Sequence, residues 1–229
     1  MPTDARDVCA IIVATEQDGD LIWREVAGRS LLAWSIAAFA ASPSIARILL
    51  VVPEAQAGHV QALCEQEPWE IVSAILPGGA RRRDCVEAAL RALPDECSLV
   101  AIHDAMRPLV TSALIEAGVA LARETGDAIP VEPVKETIKR VRAGVIIGAV
   151  PRERLTRAQS PQFYSLPLLQ EAYQRATPDQ DPPDEVSLLI KAGISVSVYS
   201  GDSRDGENLR VTSVDELPVI EELLRRRLG

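Results

Sequence analysis

Along the first half of the chain, short unbroken apolar runs alternate with stretches of helical periodicity. Residues 8–13 read VCAIIV, 45–52 read IARILLVV, 70–76 read EIVSAIL and 98–102 read SLVAI. Runs this short, rich in β-branched residues and without polar alternation, predict strands buried on both faces. Between them, residues 31–41, 58–64 and 83–93 predict helices. Residues 112–125 predict another, stopped by Gly126, and 127–131 a short strand. Strand and helix in repeated alternation predict right-handed βαβ crossovers. The expected fold class is α/β: a doubly wound, mostly parallel, Rossmann-like sheet with helices on both faces.

The second half continues in kind and then departs. Residues 136–150 (ETIKRVRAGVIIGAV) predict two strands joined at Ala143-Gly144, a hairpin and not a βαβ unit. This predicts a protruding β-arm over about residues 136–154. Helices are expected over 166–176 and 184–192, a strand over 195–199, a last short strand over 209–212 and a C-terminal helix over 214–228. Residues 177–183 (TPDQDPP) carry turn chemistry and two acids, and predict a loop. No internal repeat or composition break divides residues 1–229, so one domain with an arm is expected.

Composition narrows the chemistry. The 229 residues are 47% hydrophobic and 25% charged, enough for one sizeable core. The net charge of −9 argues against nucleic acid as a partner. Lys135, Lys139 and Lys191 are the three lysines, and the other 21 basic residues are arginine. Cys9, Cys64, Cys85 and Cys97 show neither C-x-x-C nor ligand spacing with His59 or His103, which disfavours a zinc site or disulfide framework. The acidic N-terminal stretch does not read as a signal peptide, and the longest apolar stretch is too short to span a bilayer. A cytoplasmic protein with no membrane partner is expected.

Ligands of open α/β sheets bind outside the carboxyl ends of the strands, so the loops following those ends carry the candidate chemistry. After Leu76 comes PGGARRRDCV: two glycines leading into a helix N-terminus with three arginines beside them. Backbone N–H groups and guanidinium forks there suit a phosphate, although an ordinary turn with a basic face has the same look. After Ile102 comes HDAMRP, where Asp104 suits a ribose or a hydrated Mg²⁺ and Arg107 a phosphate. A helix-capping Asp and a surface Arg remain the plainer alternative. His103, at the end of an apolar strand, reads as a hydrogen-bonded structural histidine, and the cysteines read as core. No G-x-G-x-x-G follows the first strand, which disfavours a nicotinamide-dependent dehydrogenase.

Order and spacing together are more specific. DVCAIIVA, GRSLLAWSI, GGARRRDCV, HDAMRP, PVKETIKRV with R-x-x-L, AQSPQFY, PPDEVS and NLRVTSVDEL occur in that order. The chain thereby resembles the 2-C-methyl-D-erythritol 4-phosphate cytidylyltransferase family from about Asp7 to Leu224. The resemblance implies transfer of CMP from CTP to a sugar-alcohol phosphate, 2-C-methyl-D-erythritol 4-phosphate, with release of pyrophosphate and with Mg²⁺ carried mainly by the nucleotide phosphates. It implies that Gly78, Gly79, Arg82 and Cys85 lie along the CTP site, with Ala14 under the cytosine or ribose. Asp104, Ala105 and Arg107 are then placed between ribose and acceptor. Thr137 and Arg152 bind the acceptor phosphate from the partner subunit's arm in a homodimer. Ser160, Asn208 and Arg210 complete the pocket.

The first βα loop departs from the pattern. The family's A-A-G-x-G-x-R-M stretch, followed by P-K-Q, is here ATEQDGDLIWREVAGRSLL, several residues shorter. Glu16 stands at the first glycine, the loop arginine has no counterpart, and Leu21 falls near the loop lysine. A second family lysine is Arg210, and the threonine of TDDAS is Pro183. A unit charge about 6 Å from a phosphate charge is worth roughly 2–3 kcal/mol at an effective dielectric of 20. Two lost cations together with Glu16, Asp18 and Asp20 are thus expected to reverse the local field. Arg24 is the first candidate to fill the gap as a catalytic cation beside Arg152 and Arg210. Loop acids holding Mg²⁺, or Arg81 or Arg83 reaching across, are the others. Two further readings stay open: a catalytically degenerate homologue with a binding or regulatory role, and a nucleotidyltransferase for another phosphorylated alcohol.

Overall fold

A computed structural model describes residues 6–67, 69–79, 81–177, 182–201 and 208–229. In chain order the elements are β1 (Val8–Val13), a 3₁₀ turn (Glu16–Trp23), β2 (Glu25–Val26), β3 (Arg29–Ser30), α1 (Leu31–Ala40), β4 (Ile45–Val52), α2 (Ala57–Gln66), β5 (Val72–Pro77), α3 (Arg82–Arg91), β6 (Leu99–Asp104) and α4 (Ser112–Thr125). There follow β7 (Asp127–Pro133), β8 (Lys139–Arg142), β9 (Val145–Ala149), β10 (Thr156–Ala158), β11 (Gln162–Ser165), α5 (Leu166–Arg175), α6 (Glu185–Lys191), β12 (Val198–Ser200) and α7 (Leu217–Leu228).

The central sheet runs β10-β7-β11-β6-β1-β4-β5, with β12 beside β7. The pairs β6–β1, β1–β4, β4–β5 and β7–β12 are parallel. The doubly wound, mostly parallel sheet is therefore as expected. Each strand of its centre is apolar on both sides because each side meets a helix layer. Val8, Ala10 and Ile12 of β1 pack with Leu32, Ile36 and Phe39 of α1, Ile115 and Val119 of α4, and Ile220 and Leu224 of α7. Cys9, Ile11 and Val13 pack with Val86 of α3, Leu169 of α5 and Leu188 of α6. Period-two alternation thus separates two cores without any polar position on β1.

Three departures matter for the site. The AQSPQFY stretch, expected only as a motif, supplies β10 and β11, and β11 lies antiparallel between β6 and β7. That insertion is held by close packing: a Cβ on Gly118 of α4 would meet the Phe163 ring at 2.2 Å. Residues 209–212, expected as a strand, form none; Val211 N–H bonds to the Met106 carbonyl at 2.8 Å and anchors an irregular segment beside β6. The loop after β1, which lacks the expected glycines, winds into the 3₁₀ turn. Residues 178–181 of the expected 177–183 loop lie outside the described residues, as do 1–5 and Ala80 of the PGGARRRDCV stretch.

The hairpin expected at Ala143-Gly144 forms. β8 and β9 pair antiparallel around Ala143 and Gly144, whose φ angles of 49° and 78° are those of a type I′ hairpin turn. Its base is closed by Val150 N–H to the Ile138 carbonyl at 3.0 Å.

Candidate active site

The carboxyl ends of β1 and β6 lie side by side, Val13 against Asp104. Above them opens a cavity of about 450 Å³. Asp104 stands at its floor because β6 ends there and the chain turns sharply: its Oδ1 accepts from Met106 N–H at 3.0 Å, and its Oδ2 from Arg210 Nε at 2.6 Å. Burial works against its charge, but Arg210, the Met106 amide and Arg107 hold its carboxyl below the usual range. The Asp104 N–H donates to Ser160 Oγ at 3.0 Å, and that oxygen lies 3.1 Å from His103 Nδ1. The Ser160 hydroxyl thus bridges the Asp104 amide and the His103 ring. Burial pushes the imidazole down to about 3. His103 is therefore structural, as its sequence context suggested, and it orients Ser160 under Asp104. Asn208 Nδ2 bonds to the Ser160 carbonyl at 2.6 Å and ties the two segments together.

Among the described residues four guanidinium groups border the cavity: Arg81, Arg82, Arg107 and Arg210. They are not equivalent. Arg81 forks onto Asp84, Nε to Oδ2 at 2.9 Å and Nη2 to Oδ1 at 2.7 Å. Arg82 reaches the buried Glu185 at 3.3 Å. Burial disfavours its charge, but Glu185 and Asp104 raise its pKa above the free value. Arg107 donates to the Asn208 carbonyl at 2.7 Å. Burial, together with Arg210, Arg157 and Arg82, outweighs Asp104 and lowers its pKa. A cation held among other cations, with a neutral oxygen for a partner, attracts an anion.

Arg210 is clasped from both sides. Its Nε meets Asp104, and its Nη2 meets Asp18 Oδ1 at 3.0 Å. Burial opposes its charge, yet Asp104 and Asp18 raise its pKa. Asp18 is set in place by the 3₁₀ turn: its Oδ2 accepts from Thr15 N–H at 2.7 Å and Thr15 Oγ1 at 3.0 Å, a reciprocal capping box. The expected field reversal by three acids is thus narrowed to one acid at the cavity, Asp18. Asp18 is ion-paired, Glu16 is exposed to solvent, and Asp20 borders a separate cavity beside His59.

Arg24, just past the 3₁₀ turn, also belongs to that separate cavity, with Trp23 and Glu25. It does not reach the candidate site. Arg83 is turned away likewise and donates to the Thr177 carbonyl.

The expected residues divide into four groups. Asp104, Arg82, Arg107, Ser160 and Arg210 border the cavity. Ala14, Ala105 and Cys85 are buried and do not border it. Gly78 N–H is spent on the Val52 carbonyl at 2.7 Å, and a Cβ on Gly79 would meet Asp84 Cβ at 2.8 Å, so these glycines serve close packing of the β5–α3 turn. The Cys85 thiol, pushed up by burial, donates to the Gly79 carbonyl at 3.5 Å and braces the same turn. Thr137 and Arg152 are exposed on the arm, where Arg152 bonds to the Lys135 carbonyl.

Sequence reasoning missed Gln17, Gln159, Gln162 and Asp184, which border the cavity, and Glu185 behind it. The two glutamines of AQSPQFY stood out only as a family mark. Strand alternation about the Ser160-Pro161 bend was the signal that could have placed them, but β11 itself was not expected.

A family model for 2-C-methyl-D-erythritol 4-phosphate cytidylyltransferase (IspD) matches residues 9–226. The chain belongs to this family. The cytidylyltransferase of Dehalococcoides mccartyi strain CBDB1 is 34% identical over 225 residues, covering 96% of each chain. A bifunctional enzyme IspD/IspF of Desulfotalea psychrophila is 35% identical over 205 residues; the match covers 90% of this chain and 52% of that one, so the chain spans about half of that relative's length. The family's crystal structure from Thermus thermophilus aligns with a TM-score of 0.78 at 29% identity, covering 96% of this chain and 99% of that one. That from Anaerococcus prevotii gives 0.83 at 21% identity and bears on the fold alone, covering 96% and 98%. Among the described residues no helix is long and apolar enough to cross a membrane, and no cluster of three His, Cys, Asp or Glu can hold a metal ion. The carboxylates nearest the cavity floor, Asp18 and Asp104, are committed to Arg210. Among the described residues there is therefore no preformed cation cage.

Proposed function

We propose that this chain transfers CMP from CTP to 2-C-methyl-D-erythritol 4-phosphate. An oxygen of the acceptor phosphate forms a bond to the α-phosphorus of CTP. The bond from that phosphorus to the β-phosphate bridging oxygen breaks, and pyrophosphate leaves. The observation that carries this reading is Arg107: a guanidinium bordering the same cavity as Asp104, Arg82 and Arg210, whose hydrogen-bond partner among the described residues is a carbonyl. Chemistry of this kind needs positioning and neutralisation of charge more than covalent help. Arg107 and Arg82 supply the neutralisation, and Arg210, fixed by Asp104, joins them on displacement of its second carboxylate. Mg²⁺, in this reading, enters with the nucleotide, its ligands being polyphosphate oxygens and water.

In the same reading the protein works as a homodimer in which Thr137 and Arg152 of each arm serve the acceptor end of the partner's cavity. Their exposure on the arm supports this, as do the uncovered apolar side chains around them. The test is pyrophosphate release from purified protein with CTP, the acceptor and Mg²⁺. Arg107→Ala is expected to lose about 10²–10³-fold in turnover, the size of a lost transition-state charge contact. Turnover indistinguishable between the variant and the parent would refute the role of Arg107.

One observation favours a second reading. Asp18 occupies Arg210, and no glycine-rich loop embraces a triphosphate, as expected of a homologue that binds without turning over. Absence of pyrophosphate release with retained CTP binding would select that reading.

A further inference from the structure

We infer that Asp18 is a built-in occupant of the anion seat on Arg210, which a polyphosphate must displace, and that it thereby sets this chain's affinity for nucleotide phosphates. The inference rests on the reading of the cavity as a polyphosphate site and adds a residue that weakens the site from within.

The geometry gives the two carboxylate oxygens of Asp18 separate tasks. Oδ2 takes both protons of the Thr15 cap, at 2.7 and 3.0 Å, and Oδ1 faces Arg210 Nη2 at 3.0 Å. The Asp18 side chain is only 5% exposed, whereas that of Arg210 is 38% exposed. The acid is therefore locked into the wall while the cation still opens to the cavity. With Asp104 on its Nε, Arg210 carries two carboxylates against one positive charge. An arriving phosphate oxygen competes for the same N–H groups, and the Thr15 cap prevents Asp18 from withdrawing far once displaced. Its charge then lies beside that of the phosphate. Arg107, with the Asn208 carbonyl as its partner, is not blocked in this way. The anion is thus received at Arg107 and resisted at Arg210.

The test measures binding of inorganic triphosphate and of CTP by calorimetry, each with and without Mg²⁺. It compares the full chain with Asp18→Asn, Asp18→Gln and Glu16→Gln. Asn keeps an oxygen for the Thr15 cap, and Gln is a usual residue at this capping-box position, so both variants preserve the turn. Glu16→Gln removes the same charge from the same loop without touching Arg210. Both Asp18 variants are expected to bind triphosphate and CTP roughly 10- to 100-fold more tightly, as for removal of one partly screened charge, and Glu16→Gln less than about threefold. Equal tightening by Glu16→Gln would reduce the effect to general charge and overturn the inference. So would unchanged affinity, or no binding by any of the chains. Weaker binding in the Asp18 variants confined to Mg²⁺ buffers would make Asp18 a metal ligand instead, which also overturns it. If the Asp18 variants gain triphosphate but none of the chains prefers CTP to other nucleotides, the anion seat stands and the cytidylyl reading falls. If CTP binds equally to all, the reading stands and the seat falls.

Discussion

His103 sits against Ser160 at the cavity wall, yet its contribution is to stability. In the unfolded chain its imidazole titrates near 6.5, and in the folded chain burial pushes it down to about 3. Between those values the unfolded chain binds a proton that the folded chain refuses. Stability is therefore lost as pH falls through that window, and none is lost to this group above it. At pH 5 the loss is about 2 kcal/mol. Asp104, whose pKa is lowered, acts in the same direction as pH falls toward its own folded value. Urea unfolding at pH 7 and pH 5 checks this: the fall in stability is expected to be about 2 kcal/mol smaller in His103→Asn than in the parent. An equal fall in both proteins would show that His103 does not titrate as its burial requires. At the same scale, Arg107 and Arg210 show why a shared residue type does not mean a shared role. One guanidinium is left to a carbonyl and the other is clasped by two carboxylates, so only the first is ready to receive an anion without an exchange.

Among the elements, the arm is the one whose surface is unlike that of a finished protein. Val141, Val145, Ile146 and Ile147 on β8 and β9 are between 55% and 62% exposed, a concentration of apolar side chains that marks an interface. A hairpin of two strands is marginal alone, so in the proposed homodimer covering these side chains would stabilise the arm as well. Ile146→Asp is expected to shift the protein from dimer to monomer in light scattering. Its core melting temperature should change by only a few degrees, because the side chain touches no core residue in the single chain. An unchanged mass would show that the arm is not the contact. The 3₁₀ turn after β1 illustrates the opposite case. Its Thr15–Asp18 capping box is complete within the chain and determines where Asp18 points, while Arg24, just past the turn, borders the other cavity.

For the whole molecule, the proposed function divides one site between two copies. Arg107 belongs to one protomer's cavity, and Thr137 and Arg152 belong to the other's arm. A protein carrying Arg107→Ala and one carrying Arg152→Ala, each impaired alone, are expected to regain about a quarter of parental turnover when equal amounts are unfolded and refolded together. Half of the random twofold dimers then hold one intact site of two. Turnover that stays at the level of the separate variants would place both residues in the same copy's site.

Much of this organisation could be read from the chain alone. Strands buried on both faces have unbroken β-branched runs, so β1, β4, β6 and the helices between them are local patterns with a local cause. The arm was visible because Ala143-Gly144 favours a hairpin turn whatever surrounds it. Asp104 and Arg107 stood out because they follow a buried strand, and Arg210 only through the family resemblance. What only the tertiary structure decided lies where partners are remote in sequence. β11 enters the sheet because Gly118 lets Phe163 approach α4, a contact that no window of the sequence around either residue contains. Asp18 becomes the partner of Arg210 across 192 positions, so an acid that looked like one of three repelling charges is a fixed counter-ion. Local propensity is written in neighbouring side chains, whereas the sign of the field at a site depends on which charges folding brings together.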